Sequence, residues 1–194
     1  MRALPLIIFV MSLGSTWVSC SNQGGTLLDA DGCDGYPSKD HTQYILPYNA
    51  GEAYRIYQGN CGAVSHYGSD RYAYDFQMPI GTEIIAIRTG KVIGIWMNSD
   101  VGWGKAENRI SILHEDGTVA DYVHLQKNTQ TMSVGDYVEQ GHRIAASGSS
   151  GTDLPHLHLD LFSSRNKLMS LPLTFTNTSN HPDGLKEGNT YRAY

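Results

Sequence analysis

Apolar residues in this chain come in short runs broken by Gly and Asp, and no window keeps a helical period over three turns. Runs at 83–88 and 91–96 are separated by Thr89-Gly90, and runs at 109–114 and 118–125 by a turn containing Asp116-Gly117. Asp-Gly between two β-type runs predicts a tight hairpin. Two shorter pieces lie at 134–138 and 142–146, and the cleanest alternation is His156-Leu157-His158-Leu159-Asp160-Leu161-Phe162. The pattern predicts an all-β protein, an antiparallel sandwich or barrel-like sheet domain.

The N-terminal pattern differs. Arg2 precedes an apolar run over 3–13 that is shorter than the roughly 20 residues a membrane span needs. A positive start, a short apolar stretch and small residues after it predict a signal peptide over 1–20. Val18-Ser19-Cys20 resembles a lipoprotein processing site, although Trp17 stands where Leu is usual. Residues 21–47 are polar and turn-rich and read as an extension or linker, 48–176 as the domain, and 177–194 as a polar C-terminal tail. If Cys20 carries lipid, Cys33 and Cys61 form an even set, and a bridge between them would tie the extension to the domain.

Composition sharpens this only in part. The 194 residues suffice for one domain, and 40% hydrophobic content excludes a disordered chain. Lys+Arg 14 against Asp+Glu 19 leaves a net charge of -5, which supplies no broad cationic field for nucleic acid. Gly at 21 residues is above the usual share and fits many tight turns.

Candidate chemistry centres on histidine. Alternate residues of a strand share a face, so His156, His158 and Asp160 point together while Leu157, Leu159 and Leu161 point into a core. Such a pair suits metal binding or acid–base work, and a merely polar solvent face would look the same. A catalytic zinc needs three protein ligands. His158 can be one; His66 and Asp75 are candidates for the others, but composition does not choose them over Asp70 or Asp121. His114 reads as structural, and His41, His142 and His181 as surface residues. Tyr72, Tyr74 and Tyr122 either line a groove or pack.

Five motifs follow one another in order. They are His66 with Tyr72-Ala73-Tyr74-Asp75-Phe76 and Met78-Pro79, then Gly90-Lys91-Val92, then Ile110 to Thr118 leading into Tyr122-Val123-His124-Leu125, then Val134-Gly135-Asp136, and last Ser147-Gly148-Ser149-Ser150-Gly151 with Pro155-His156-Leu157-His158. Together they resemble the LytM/lysostaphin-type zinc metallopeptidases, over about residues 48–175. The resemblance implies the duplicated-hybrid-motif β fold and one Zn²⁺ per domain, held by His66, Asp75 and His158. It also implies that His124 and His156 are catalytic and unligated. Eight residues lie between His66 and Asp75, more than in many members; Asp70 would satisfy the shorter spacing but lacks the context that follows Asp75. The implied activity is hydrolysis of peptide cross-links in bacterial peptidoglycan, by an exported monomer of the cell envelope or a secreted one, touching a membrane only through a lipid on Cys20. The alternatives are a non-catalytic activator or binding module for cell-wall amidases, and a zinc peptidase acting on proteins or free peptides.

Overall fold

The alternating runs become strands in a computed structural model that describes residues 33–194. The expected signal peptide, Cys20 and much of the extension lie outside the described residues. In chain order the strands are β1 (Ala53–Gln58), β2 (Tyr74–Gln77), β3 (Glu83–Ile85), β4 (Gly90–Trp96), β5 (Gly102–Trp103), β6 (Arg109–Leu113), β7 (Val119–Val123), β8 (Tyr137–Val138), β9 (Arg143–Ala146), β10 (Ser150–Gly151), β11 (His156–Phe162) and β12 (Thr190–Arg192). An eight-stranded antiparallel sheet runs β12-β1-β2-β11-β7-β6-β4-β8; β3 pairs with β9, and β5 with β10. The fold is all-β, as the pattern predicts. The Asp116-Gly117 turn joins β6 to β7, with Leu113 opposite Val119 and Gly117 at φ 86, a conformation glycine adopts without strain.

Strand alternation splits this sheet into two chemically different faces. Ile56, Tyr74, Phe76, Ile110, Ile112, Ala120, Tyr122, Leu157 and Leu159 face one core and are fully buried. The alternate positions Asp75, Ser111, Asp121, His156, His158 and Asp160 turn to the opposite face. Four neighbouring strands are therefore apolar on one side and bear titratable groups on the other. Tyr74 and Tyr122 belong to the packed side: Tyr122 Oη accepts the Ile87 N–H at 2.9 Å, and Tyr74 Oη donates to the Leu173 carbonyl at 3.1 Å.

Both ends of the described chain are packed onto this sheet. Tyr44 and Leu46, just before residue 48, are buried, and Ile45 N–H donates to Ile87 O at 3.0 Å. The C-terminal residues 177–194, polar in composition, supply edge strand β12 and bury Leu185, Tyr191 and Ala193. His181, expected at the surface, is buried: its Nδ1–H donates to Ser179 O at 2.6 Å and its Nε2 accepts the Phe175 N–H at 2.9 Å. With both ring nitrogens satisfied, burial costs this imidazole little. His41 and His142 are exposed, and His114 is buried with Nδ1–H on Thr89 O at 3.0 Å. Cys33 and Cys61 are bridged, Cα–Cα 6.1 Å, as the cysteine count suggested.

Candidate metal centre

The polar face of the sheet and one loop build the site. Asp75 on β2 and His158 on β11 are direct cross-strand partners, so their side chains rise side by side. His66 reaches them from the loop between β1 and β2. The disulfide anchors that loop at Cys61, whose N–H donates to Arg71 O at 2.6 Å. His66 Nδ1–H donates to the Gly59 carbonyl at 2.8 Å, which turns its Nε2 lone pair inward.

Three donor atoms converge there. His66 Nε2 is 3.3 Å from His158 Nδ1 and 3.2 Å from Asp75 Oδ1, and His158 Nδ1 is 2.8 Å from Asp75 Oδ1. A tetrahedral zinc ion at about 2.0 Å from each ligand sets ligand atoms about 3.3 Å apart. The separations and the two-nitrogen, one-oxygen donor set therefore fit zinc. Among the described residues this is the one group of three or more His, Cys, Asp or Glu side chains whose ligand atoms lie within 4.8 Å of each other. Asp70 sits outside it, on a 3₁₀ turn over Gly68–Asp70, and Asp121 lies along β7.

Electrostatics agree with a charged acceptor at the centre. Burial opposes ionisation of Asp75, but the hydrogen bond from His158 and the attraction of the adjacent His66 and His158 rings outweigh it and hold the carboxyl well below the usual carboxylate range. Burial also works against a charged His158, yet its bonds to Asp160 and Asp75 push it up.

The other two histidines stand beside the cluster. His124 and His156 have ring centroids 4.5 Å apart. His124 Nδ1–H donates to Ser150 O at 2.7 Å, and His156 Nδ1–H to Leu154 O at 2.7 Å. Carbonyls cannot donate, so both rings are Nδ1–H tautomers that leave Nε2 as an acceptor. His156 Nε2 lies 3.7 Å from Asp75 Oδ1. Burial pushes His124 down to about 4 and also lowers His156, against the pull of Asp75, so both are neutral at pH 7.

The position of His124 has a backbone cause absent from the pattern. It follows β7 at φ 61, a left-handed conformation that non-glycine residues rarely adopt. Gly148 lies directly against it: a Cβ there would sit 2.8 Å from His124 O and 2.6 Å from Gln126 N. These neighbours are backbone atoms and cannot rotate aside. Gly148→Ala is therefore expected to lower stability by about 1–3 kcal/mol and to displace His124. Urea denaturation and a crystal structure of the variant check this; unchanged stability with His124 in place contradicts it.

A larger cavity, about 1030 Å³, lies at the opposite end of β4 and β6, beside Arg88, Lys91 and Arg165. His124 and His158 instead open on a smaller cleft of about 290 Å³, lined also by Asp160, Arg109 and Lys167. Donor geometry, not cavity size, singles out the candidate site.

Comparison with known proteins gives the family. Two curated relatives are lysostaphin from Staphylococcus simulans, 36% identical over 120 residues (60% of this chain and 22% of that protein), and the glycyl-glycine endopeptidase ALE-1 from Staphylococcus capitis, 34% identical over 124 residues (62% and 31%). This chain thus spans less than a third of either relative. In fold it is similar to the catalytic domain of the prophage-encoded M23 protein EnpA from Enterococcus faecalis, with TM-score 0.51 and 24% identity over 66% of this chain and 93% of that one. The sequence pattern of peptidase family M23 matches residues 69–169, a stretch that contains Asp75, His124, His156 and His158 and begins just after His66. That stretch is just over half of the chain, and the chain belongs to peptidase family M23.

Proposed function

We propose that this protein is a zinc-dependent endopeptidase that hydrolyses peptide cross-links of bacterial peptidoglycan, with His66, Asp75 and His158 as metal ligands and His124 and His156 as catalytic residues. The observation that carries the reading is the convergence of three ligand atoms within 3.3 Å, next to two neutral imidazoles with free Nε2 acceptors. His66, Asp75 and His158 would hold the zinc, which when bound would supply a nucleophile at neutral pH by lowering the pKa of water toward 7. His156, whose Nε2 is nearer the ligand cluster, takes a proton as general base. Having gained that proton, His156 gives it from Nε2 to the leaving amine, and His124 takes a proton from solvent before its Nε2 donates to the developing oxyanion. The fixed tautomers make each histidine an acceptor first and a donor only after it has gained a proton. The relatives' names, lysostaphin and glycyl-glycine endopeptidase, support a peptide of the cell wall as substrate. The reading also assigns 1–20 to export and the catalytic role to the domain over 48–176.

A zymogram tests it. The purified protein should clear a peptidoglycan gel, a chelator should abolish clearing, and added zinc should restore it. Clearing that survives exhaustive chelation contradicts the zinc-dependent reading; no clearing with zinc bound favours a non-catalytic wall protein.

A further inference from the structure

The sheet face that carries the ligands continues past them as a row of buried charged groups. Asp160, two residues beyond His158 on the same face of β11, is 3% exposed. Its Oδ2 accepts the Nε2–H of His158 at 2.8 Å, and its Oδ1 is buried with no hydrogen-bond partner among the described residues. Directly across β7 stands Asp121, 2% exposed, and across β6 from that stands Ser111. Lys167, on the loop after β11, places Nζ 2.8 and 2.5 Å from the two oxygens of Asp121 and 3.0 Å from Ser111 Oγ.

Packing does not account for Asp160. A buried carboxylate oxygen without a partner is costly, and a second carboxylate stands across from it. An apolar residue would fill this position without either cost. What the carboxylate does accomplish is visible at His158. One ring nitrogen of that residue must carry the proton, and the other must offer its lone pair to Asp75's side of the site. An acceptor fixed at Nε2 decides which.

We infer that Asp160 is a positioning residue: by accepting the Nε2–H of His158 it locks the tautomer and ring orientation that direct the Nδ1 lone pair at the metal, while Lys167 balances the facing Asp121. This rests on the proposed zinc site. A carboxylate behind a ligating imidazole also raises its basicity, and loss of such partners typically weakens metal binding 10–100-fold.

The test is zinc affinity of the full chain, measured by competition with a chromophoric chelator and paired with the visible spectrum of the Co²⁺-substituted protein. Asp160→Ala should bind zinc about 10–100-fold more weakly. Asp160→Asn keeps the volume and loses the charge, and should weaken it about tenfold, the lower end of that range. Both should shift the Co²⁺ absorption bands. Affinities within twofold of the parent and unchanged Co²⁺ spectra overturn the positioning role. If the Ala variant does not fold, the isosteric Asn variant decides alone. A parent protein that binds no zinc overturns the proposed function instead, so the two failures are distinguishable.

Discussion

Under the proposed function, Asp75→Ala is expected to lose zinc binding and peptidoglycan cleavage together, while Asp70→Ala keeps both. Asp75 Oδ1 lies within 3.2 Å of both His66 Nε2 and His158 Nδ1, and the residue is 4% exposed. Removing it deletes one of three donors and the negative charge of the set. Loss of a mere outer partner already costs 10–100-fold in affinity, so loss of a ligand should exceed about 100-fold. Asp70 lies on the Gly68–Asp70 turn, half-buried, away from the three converging atoms. Equilibrium dialysis followed by elemental analysis gives the answer directly. Stoichiometric zinc in Asp75→Ala, or its loss in Asp70→Ala, would reverse the ligand assignment.

The second large effect separates chemistry from metal binding. His124→Ala should retain zinc at parental stoichiometry and lose cleavage by about 10²–10⁴-fold, the range that general acid–base groups contribute. His124 makes no ligand contact; its Nδ1–H is committed to Ser150 O, and only Nε2 is free beside His156. The quantity to measure is kcat/KM on a soluble cross-bridge peptide, with bound zinc determined on the same sample. Cleavage within a few-fold of the parent, with zinc present, would remove His124 from the mechanism.

How far the residues alone reach can be seen strand by strand. β11 was readable from end to end, because three leucines alternate with three polar residues and period-2 patterning needs no tertiary information. The β6–β7 hairpin was readable from its Asp-Gly turn. Strands β5, β10 and β12 are two or three residues long and polar in part, so they carry no periodic signal; they pair only because neighbouring backbone is already in place. The burial of His181 leaves no sequence signal for the same reason. A histidine in a polar stretch reads as exposed, and what buries it is a carbonyl and an N–H from its own and a nearby segment.

The candidate site divides along the same line. Sequence by itself determined that His156, His158 and Asp160 share a face, since backbone geometry makes alternate residues of any strand do so. Through motif order it also pointed to His66, Asp75 and His124. Three things were decided by tertiary structure alone. Pairing of β2 with β11 set Asp75 beside His158. The carbonyls of Gly59, Ser150 and Leu154 selected the ring nitrogens that face the site. Gly148 let the backbone close in on His124. Apart from the local Leu154 and Gly59 carbonyls, these depend on atoms far apart in the chain meeting within hydrogen-bonding or van der Waals distance. A one-dimensional pattern reports which face a residue takes, and the packed fold reports which atom it meets there.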